Sequence, residues 1–264
     1  SPFALVMPHA PFVARLYVPL SVLLLSLVAV GLTGCTPSDD TTEAADETVQ
    51  RQVEAARARL TASEGGQLVL RAIEAHGGLA AWYRAPTSSY TWEYANTGAD
   101  IQFKSFLVAD NRTRRVYHDL MTLGPYDDPQ PVDARFAWDG EVAWMHPDSI
   151  ERPNPHFWAT TGYYFEQIPF VLADPGLTYE RLPNDTLDDT MYQLVKAGYE
   201  EGVGYSDDDT YTLYINSETG LVDAIRYTVT YGRDVPDDAD MAETLFYYED
   251  YVTVDGLTVP THFR

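Results

Sequence analysis

The chain has 264 residues, with 40 aspartates and glutamates against 17 lysines and arginines, a formal net charge of −23. That balance, with no basic stripe, excludes a nucleic-acid-binding surface and electrostatic attraction to anionic headgroups, while 45% hydrophobic and 22% charged residues exclude a disordered chain. An acidic surface also keeps a protein soluble at high salt whatever its role, so the charge names no partner.

Residues 1–34 carry Arg15 as their one formal charge, then an apolar run over 16–34, then a sharp switch to acidic residues. This is the layout of a signal peptide, with Met7 as the expected start. Nineteen apolar residues are also about the minimum to cross ~30 Å of hydrocarbon, so a plain transmembrane anchor is the competing reading. Leu32, Thr33, Gly34 and Cys35 decide between them, because they resemble the lipobox of bacterial lipoproteins. Small residues before the cysteine let an extended backbone enter the peptidase, and the Cys35 thiol carries the diacylglyceryl group. Two or three acyl chains, at ~0.8 kcal/mol per buried CH₂, hold a protein on a bilayer stably. Cys35 is the one cysteine, so no internal disulfide is available.

Residues 35–47 read as the lipidated cysteine and a flexible acidic tether. Thr36 is not the aspartate that retains some lipoproteins at the inner membrane. The expected location is therefore the bacterial envelope, lipid-anchored on the outer membrane and facing the periplasm. Residues 48–264 then form a single domain, of a length one core can serve, with room for a closing strand beyond Arg264.

From residue 48, Val49, Val53, Ala56 and Leu60 line one helical face. A second helix over 63–76 ends at Gly77-Gly78, with Leu79 placed for the apolar contact of a glycine C-cap. The run His76-Gly77-Gly78-Leu79 also looks like an esterase oxyanion loop, but no Gly-x-Ser-x-Gly elbow accompanies it. After Pro86 the period changes to two. Trp92 and Tyr94, then Phe103, then Arg114, Val116, His118 and Leu120 mark successive strand faces. Phe136 and Trp138 lead into Asp139-Gly140, a two-residue hairpin signal, and Val142 and Trp144 lead out. Further strands are expected at about 190–197, 210–216, 221–231, 244–251 and 257–263. Between them, residues 155–176 read as an aromatic helical insertion broken at Gly162 and Pro169.

Two helices, a long meander and an aromatic insertion on a lipid-anchored chain resemble the superfamily of the lipoprotein carrier LolA and its membrane-anchored counterpart LolB. The matching motifs are the hairpin 138–144 with Pro147 after it, the turn Glu218-Thr219-Gly220-Leu221, and the closing run 251–260. The resemblance implies an α+β fold: a strongly curved antiparallel sheet of about 10–11 strands, an open half-barrel, covered by amino-terminal helices and the inserted aromatic helix. It further implies a lipid or other hydrophobic ligand in the concave face. Anchorage of the chain itself excludes a freely diffusing shuttle.

On that reading Trp92, Tyr94, Phe103, Trp138 and Trp144 are the candidate ligand wall, with ordinary core packing as the alternative. Trp158, Tyr163, Phe165 and Phe170 form a candidate lid, hinged at Gly162 and Pro169, or a fixed plug. Arg112, Arg114 and Arg115, taken to lie in one strand, are candidates for an anionic headgroup, or else pair with neighbouring carboxylates. Asp207, Asp208 and Asp209 offer oxygen ligands without the spacing of a calcium loop, and the histidines lack zinc spacing. No metal, cofactor or catalytic residue is therefore expected, and the chain reads as a binding protein. The second reading is a structural or assembly lipoprotein with a filled core and an envelope protein as partner.

Overall fold

The structure is a computed structural model that describes residues 39–203, 208–228, 230 and 243–264. The lipobox, Cys35 and Asp207 lie outside the described residues. The described residues contain four α-helices, α1 (Asp39–Leu60), α2 (Glu64–Ala75), α3 (Leu79–Arg84) and α4 (Pro155–Glu166), with a 3₁₀ turn at Phe170–Ala173. The strands are β1 (Thr87–Asn96), β2 (Ile101–Asp110), β3 (Val116–Gly124), β4 (Gln130–Trp138), β5 (Ala143–His146), β6 (Leu177–Leu187), β7 (Thr190–Tyr199), β8 (Tyr211–Asn216), β9 (Val222–Tyr227), β10 (Thr244–Glu249), β11 (Val252–Val254), β12 (Leu257–Val259) and β13 (His262–Phe263).

The α+β class with open antiparallel sheets is as expected, but the strands do not form one ladder. β1 to β5 make a five-stranded meander, β13-β10-β9-β8-β7-β6 a six-stranded sheet, and β11-β12 a separate ribbon. The ladder stops between β5 and β6, where α4 and the 3₁₀ turn are inserted. β6 was not legible in the sequence because Pro183, Asn184 and Asp185 interrupt its alternation. A register shift between Leu182 and Asp185 absorbs the proline and lets pairing with β7 continue.

Helix α1 buries Val49, Ala56 and Leu60, the stripe its spacing predicts. It begins at Asp39, so the segment expected to be a coil tether is helical from that residue onward. Glu43, Ala44, Ala45, Asp46 and Glu47 explain the extension: alanine has the best helix propensity, and carboxylates in the opening turns oppose the positive end of the dipole. Ser63 Oγ accepts the Gly66 N–H at 3.0 Å and starts α2. Its end is the expected glycine cap, with Gly77 at φ +118° and the Gly78 N–H donating to Ile73 O at 2.9 Å. An alanine Cβ at Gly77 would stand 2.0 Å from the Gly256 carbonyl oxygen, so this turn needs both the conformation and the empty space. Helix α3, too short for a periodic signal, follows immediately and buries Leu79 and Trp82.

Two cores meet at the insertion. Helices α1, α2 and α3, the 3₁₀ turn and the inner face of the six-stranded sheet share one cluster, built on Leu60, Leu68, Ile73, Trp82, Phe170, Leu213 and Ile225. Trp92, Tyr94, Phe103, Leu120 and Phe136 of the five-stranded sheet form the other, against Ala159 and Trp158 of α4. Each such fully buried side chain contributes about 1.5–3 kcal/mol relative to exposure.

Candidate functional site

The inner face of the five-stranded sheet carries Trp92, Tyr94 and Phe103, and α4 lies directly on it as part of one packed cluster. Asn154 Oδ1 accepts the His156 N–H at 3.0 Å and, with Pro155 in the first turn, starts the helix. Trp158 then stands over Tyr94, ring centroids 4.3 Å apart, and 5.7 Å from Phe103. Gly162 follows one turn on, where a Cβ would come within 2.7 Å of the Trp92 ring. Gly162 is therefore not a hinge: α4 passes through it unbroken, and its missing side chain is what lets helix and wall touch. Phe165, on the other side of the helix, packs on Tyr227 and Phe246 of the six-stranded sheet at 4.9 and 5.3 Å. The helix thus fills the space between the two sheets.

A buried histidine fastens the middle of the helix. His118 of β3, stacked on Phe136 at 4.1 Å, places Nε2 2.9 Å from Ala159 O, and its Nδ1 lies 2.9 Å from Ser105 Oγ. The Ala159 carbonyl can only accept, so Nε2 carries the proton and the serine hydroxyl donates to Nδ1. Burial pushes the His118 pKa down to about 4, so the ring is neutral at physiological pH. Sequence reading grouped His118 with a strand face but assigned it no role, because its partner is a backbone carbonyl forty-one residues away.

The last turn of α4 is held differently. Tyr248 donates its hydroxyl to Phe165 O at 3.0 Å, and the Tyr199 and Tyr164 hydroxyls meet at 2.5 Å. Between these contacts Glu166 is 8% exposed, and its carboxyl makes no hydrogen bond or ion pair with the described residues. Burial alone pushes its pKa up to about 8. Beside it the Tyr90 hydroxyl, from the edge strand β1, is fully buried next to the Gln167 side chain and within electrostatic reach of Glu166. Tyr248 of β10 and Tyr251 just after it lie within electrostatic reach of the same carboxyl. Two buried polar groups thus converge where β1 approaches the six-stranded sheet, inside an aromatic interior.

The other predicted residues fall in several places. Trp92, Tyr94 and Phe103 are buried, and Trp138 stands on the same face beside His156. Trp144 is not part of the wall. The hairpin loop has four residues, not two, because Asp139 bonds Val142 O through its N–H and caps the Glu141 and Val142 N–H groups with its carboxylate. Trp138 therefore pairs with Ala143, and Trp144 opposes Ala137 on the outer face, 36% exposed and beside Tyr117. Tyr163 and Phe170 are almost fully buried, Phe170 stacked on Trp82 at 5.1 Å. Phe170 thus sits in the fixed core under the helices, apart from the helix that covers the wall.

Arg112, Arg114 and Arg115 are not in a strand but in the β2–β3 turn, where Asp110 caps the backbone and Arg114 has φ 60°. Arg114 forms a two-pronged pair with Asp174 at 2.6–3.0 Å, donates to Tyr163 Oη at 2.7 Å, and lies over the Trp82 ring. Arg115 stands apart, beside Gly140. Among the described residues no group of three His, Cys, Asp or Glu side chains could hold a metal ion.

No family model matches the chain, and no curated protein matches it. In structure it is similar to a LolA superfamily protein from Nitrosomonas europaea, with a TM-score of 0.43 and 11% identity over 76% of this chain and 84% of that one. It is also similar to a DUF1329 family protein from Desulfovibrio piger (TM-score 0.38, 10% identity, 75% and 82% covered). A third similar structure is the Mycobacterium tuberculosis lipoprotein LppX (TM-score 0.24, 10% identity, 60% and 86% covered).

Proposed function

We propose that the protein is a lipid-anchored lipoprotein of the bacterial envelope, on the outer membrane, that takes up an amphiphilic and mainly apolar molecule into the space α4 fills between the two sheets. The observation that carries this reading is the Glu166 carboxyl under the last turn of α4, buried without a hydrogen bond or ion pair to the described residues. A buried polar group without a hydrogen bond costs about 1–3 kcal/mol. The seated helix therefore holds a penalty that a ligand bringing its own polar end would remove. With a pKa near 8, Glu166 is protonated at neutral pH and presents both a donor and an acceptor. The ligand's apolar part would lie along Trp92, Tyr94 and Phe103, replacing the contacts of Trp158. Anchorage rests on Cys35 behind the lipobox, and the helical start of α1 continues the tether toward the domain.

The test is uptake of a fluorescent fatty acid, cis-parinaric acid, by the purified protein, together with solvent extraction of any co-purified lipid. Saturable uptake of about one probe per chain supports the reading. Absence of both extracted lipid and uptake overturns it. Labelling of wild type but not Cys35→Ser with radioactive palmitate checks the anchor.

A second reading, an assembly lipoprotein with a filled core, is favoured by the outer face of the five-stranded sheet. Phe106, Val108 and Trp144 are 43%, 36% and 36% exposed there. If it holds, Trp144→Ser abolishes co-purification of an envelope protein while fatty-acid uptake is absent in both forms.

A further inference from the structure

A cavity of about 220 Å³ opens on the outside of the helical layer, between α1, α3, the β2–β3 turn and the start of β6. It is separate from the interior site, and its lining runs against the charge of the whole chain. Three arginines, Arg59, Arg112 and Arg114, converge on it, with Asp174 as the one carboxylate in the lining. The chain carries 40 carboxylates, so opportunities to neutralise these cations are plentiful. Two of the three are nevertheless left largely unused.

Arg114 and Asp174 neutralise each other and form the floor, fixed from below by Tyr163 and by the Trp82 ring. Arg59, from the last turn of α1, donates one Nη2 bond to Ala173 O at 2.8 Å, beside the Tyr83 hydroxyl, and makes no ion pair among the described residues. The Arg112 side chain is exposed and makes neither a hydrogen bond nor an ion pair among the described residues. The neighbouring Asp110 carboxylate is turned back onto the N–H groups of Arg112 and Thr113, at 2.8 and 3.0 Å. The Gln52 amide adds a neutral polar group on the α1 side.

We propose that this pocket binds a phosphate group, with Arg59 and Arg112 as the contacting cations and the Arg114–Asp174 pair as a preformed floor. A carboxylate is satisfied by one forked arginine, whereas a tetrahedral dianion offers oxygens to two guanidinium groups approaching from different elements. The Tyr83 and Trp82 rings wall the cavity and reduce its contact with water, which strengthens each charge-assisted bond. The volume suits a small phosphate ester, and both a free phosphomonoester and a phospholipid headgroup have the required chemistry.

The experiment is titration calorimetry of the purified protein with glycerol 3-phosphate and with inorganic phosphate at 150 mM sodium chloride. Co-sedimentation with phosphatidylglycerol vesicles runs beside it, against the Cys35→Ser form so that the covalent anchor does not mask the result. Saturable binding that weakens about tenfold or more in Arg112→Gln supports the proposal, because that side chain makes no hydrogen bond to the described residues whose loss would disturb the fold. Arg59→Gln should weaken it similarly, with its melting temperature recorded to separate loss of the Ala173 contact from loss of the site. Binding of the soluble ester alone identifies a free metabolite-like phosphate, and vesicle binding sensitive to Arg112→Gln identifies a headgroup. Absence of binding to either probe, or equal binding by wild type and Arg112→Gln, overturns the proposal.

Discussion

Helices α2 and α4 are each fastened to strands by a buried neutral histidine, yet they sit on their sheets in different ways. His76, at the end of α2, lies with Nδ1 2.7 Å from Thr258 O and accepts the Val222 N–H on Nε2 at 3.1 Å. It bonds the helix cap to β12 and β9 at once, and Phe170 and Tyr251 close over its ring. Like His118, it is held neutral by burial, with its pKa lowered to about 4. Everything under α2 is satisfied or apolar. Under α4 the histidine bond is equally good, but the Glu166 carboxyl lies a turn and more away without a hydrogen bond or ion pair to the described residues. A helix whose underside is satisfied loses hydrogen bonds if it lifts away; one that buries an unpaired carboxyl is seated at a penalty.

The comparison is broken most severely at the glycines and carboxyl that distinguish the two seats. Gly77→Ala should be the most damaging change, lowering stability by about 4 kcal/mol or more, because φ +118° is strained for alanine and the clash is with a backbone carbonyl. Chemical denaturation measures it directly. Glu166→Gln should act in the opposite direction, raising stability at pH 9 by about 5 kcal/mol and changing it little at pH 4. The carboxyl's folded pKa, about 8, exceeds its unfolded value of 4.5, so the stability it permits is fully present below pH 4.5 and is lost as pH rises through 8. Equal stability of the variant and wild type at pH 9 would contradict the buried carboxyl.

The histidines give the acid limb. Their folded pKa, about 4, lies below the unfolded 6.5, so the unfolded chain takes up protons first as pH falls. Stability is then present above pH 6.5 and is lost between 6.5 and 4, by about 3 kcal/mol for each ring. Together with Glu166 this places the optimum near pH 6.5, and His118→Asn should flatten the acid limb by about half. The smallest effect is expected from Gly162→Ala, about 1–3 kcal/mol, since its Cβ meets the Trp92 side chain and not the backbone. If α4 is the displaceable element, that variant should also take up cis-parinaric acid faster than wild type.

Much of this fold was legible because its signals are local. Alternation marked the strands of the meander, and the glycine pair after His76 marked the α2 cap that the structure shows. The aromatic wall was legible in Trp92, Tyr94 and Phe103 for the same reason. Trp144 was misassigned because residues an even number apart share a face only within one strand: across this hairpin Trp138 pairs with Ala143, which leaves Trp144 on the opposite face. The arginines were grouped by adjacency in sequence, whereas a turn sends Arg114 inward to Asp174, Arg112 to the outer pocket and Arg115 to Gly140.

What the amino-acid sequence determined by itself is the α+β class, the order of most elements, the faces of most strands and the expectation of a lipidated Cys35, all of which depend on neighbours a few residues apart. Tertiary structure alone decided that the ladder splits at α4, that Gly162 is a point of contact and not a hinge, and that Glu166 and Tyr90 share a buried space. Those outcomes depend on residues far apart in the chain being brought together, as Tyr90 and Tyr248 are around Glu166, and on which polar groups are left without partners once the cores have closed.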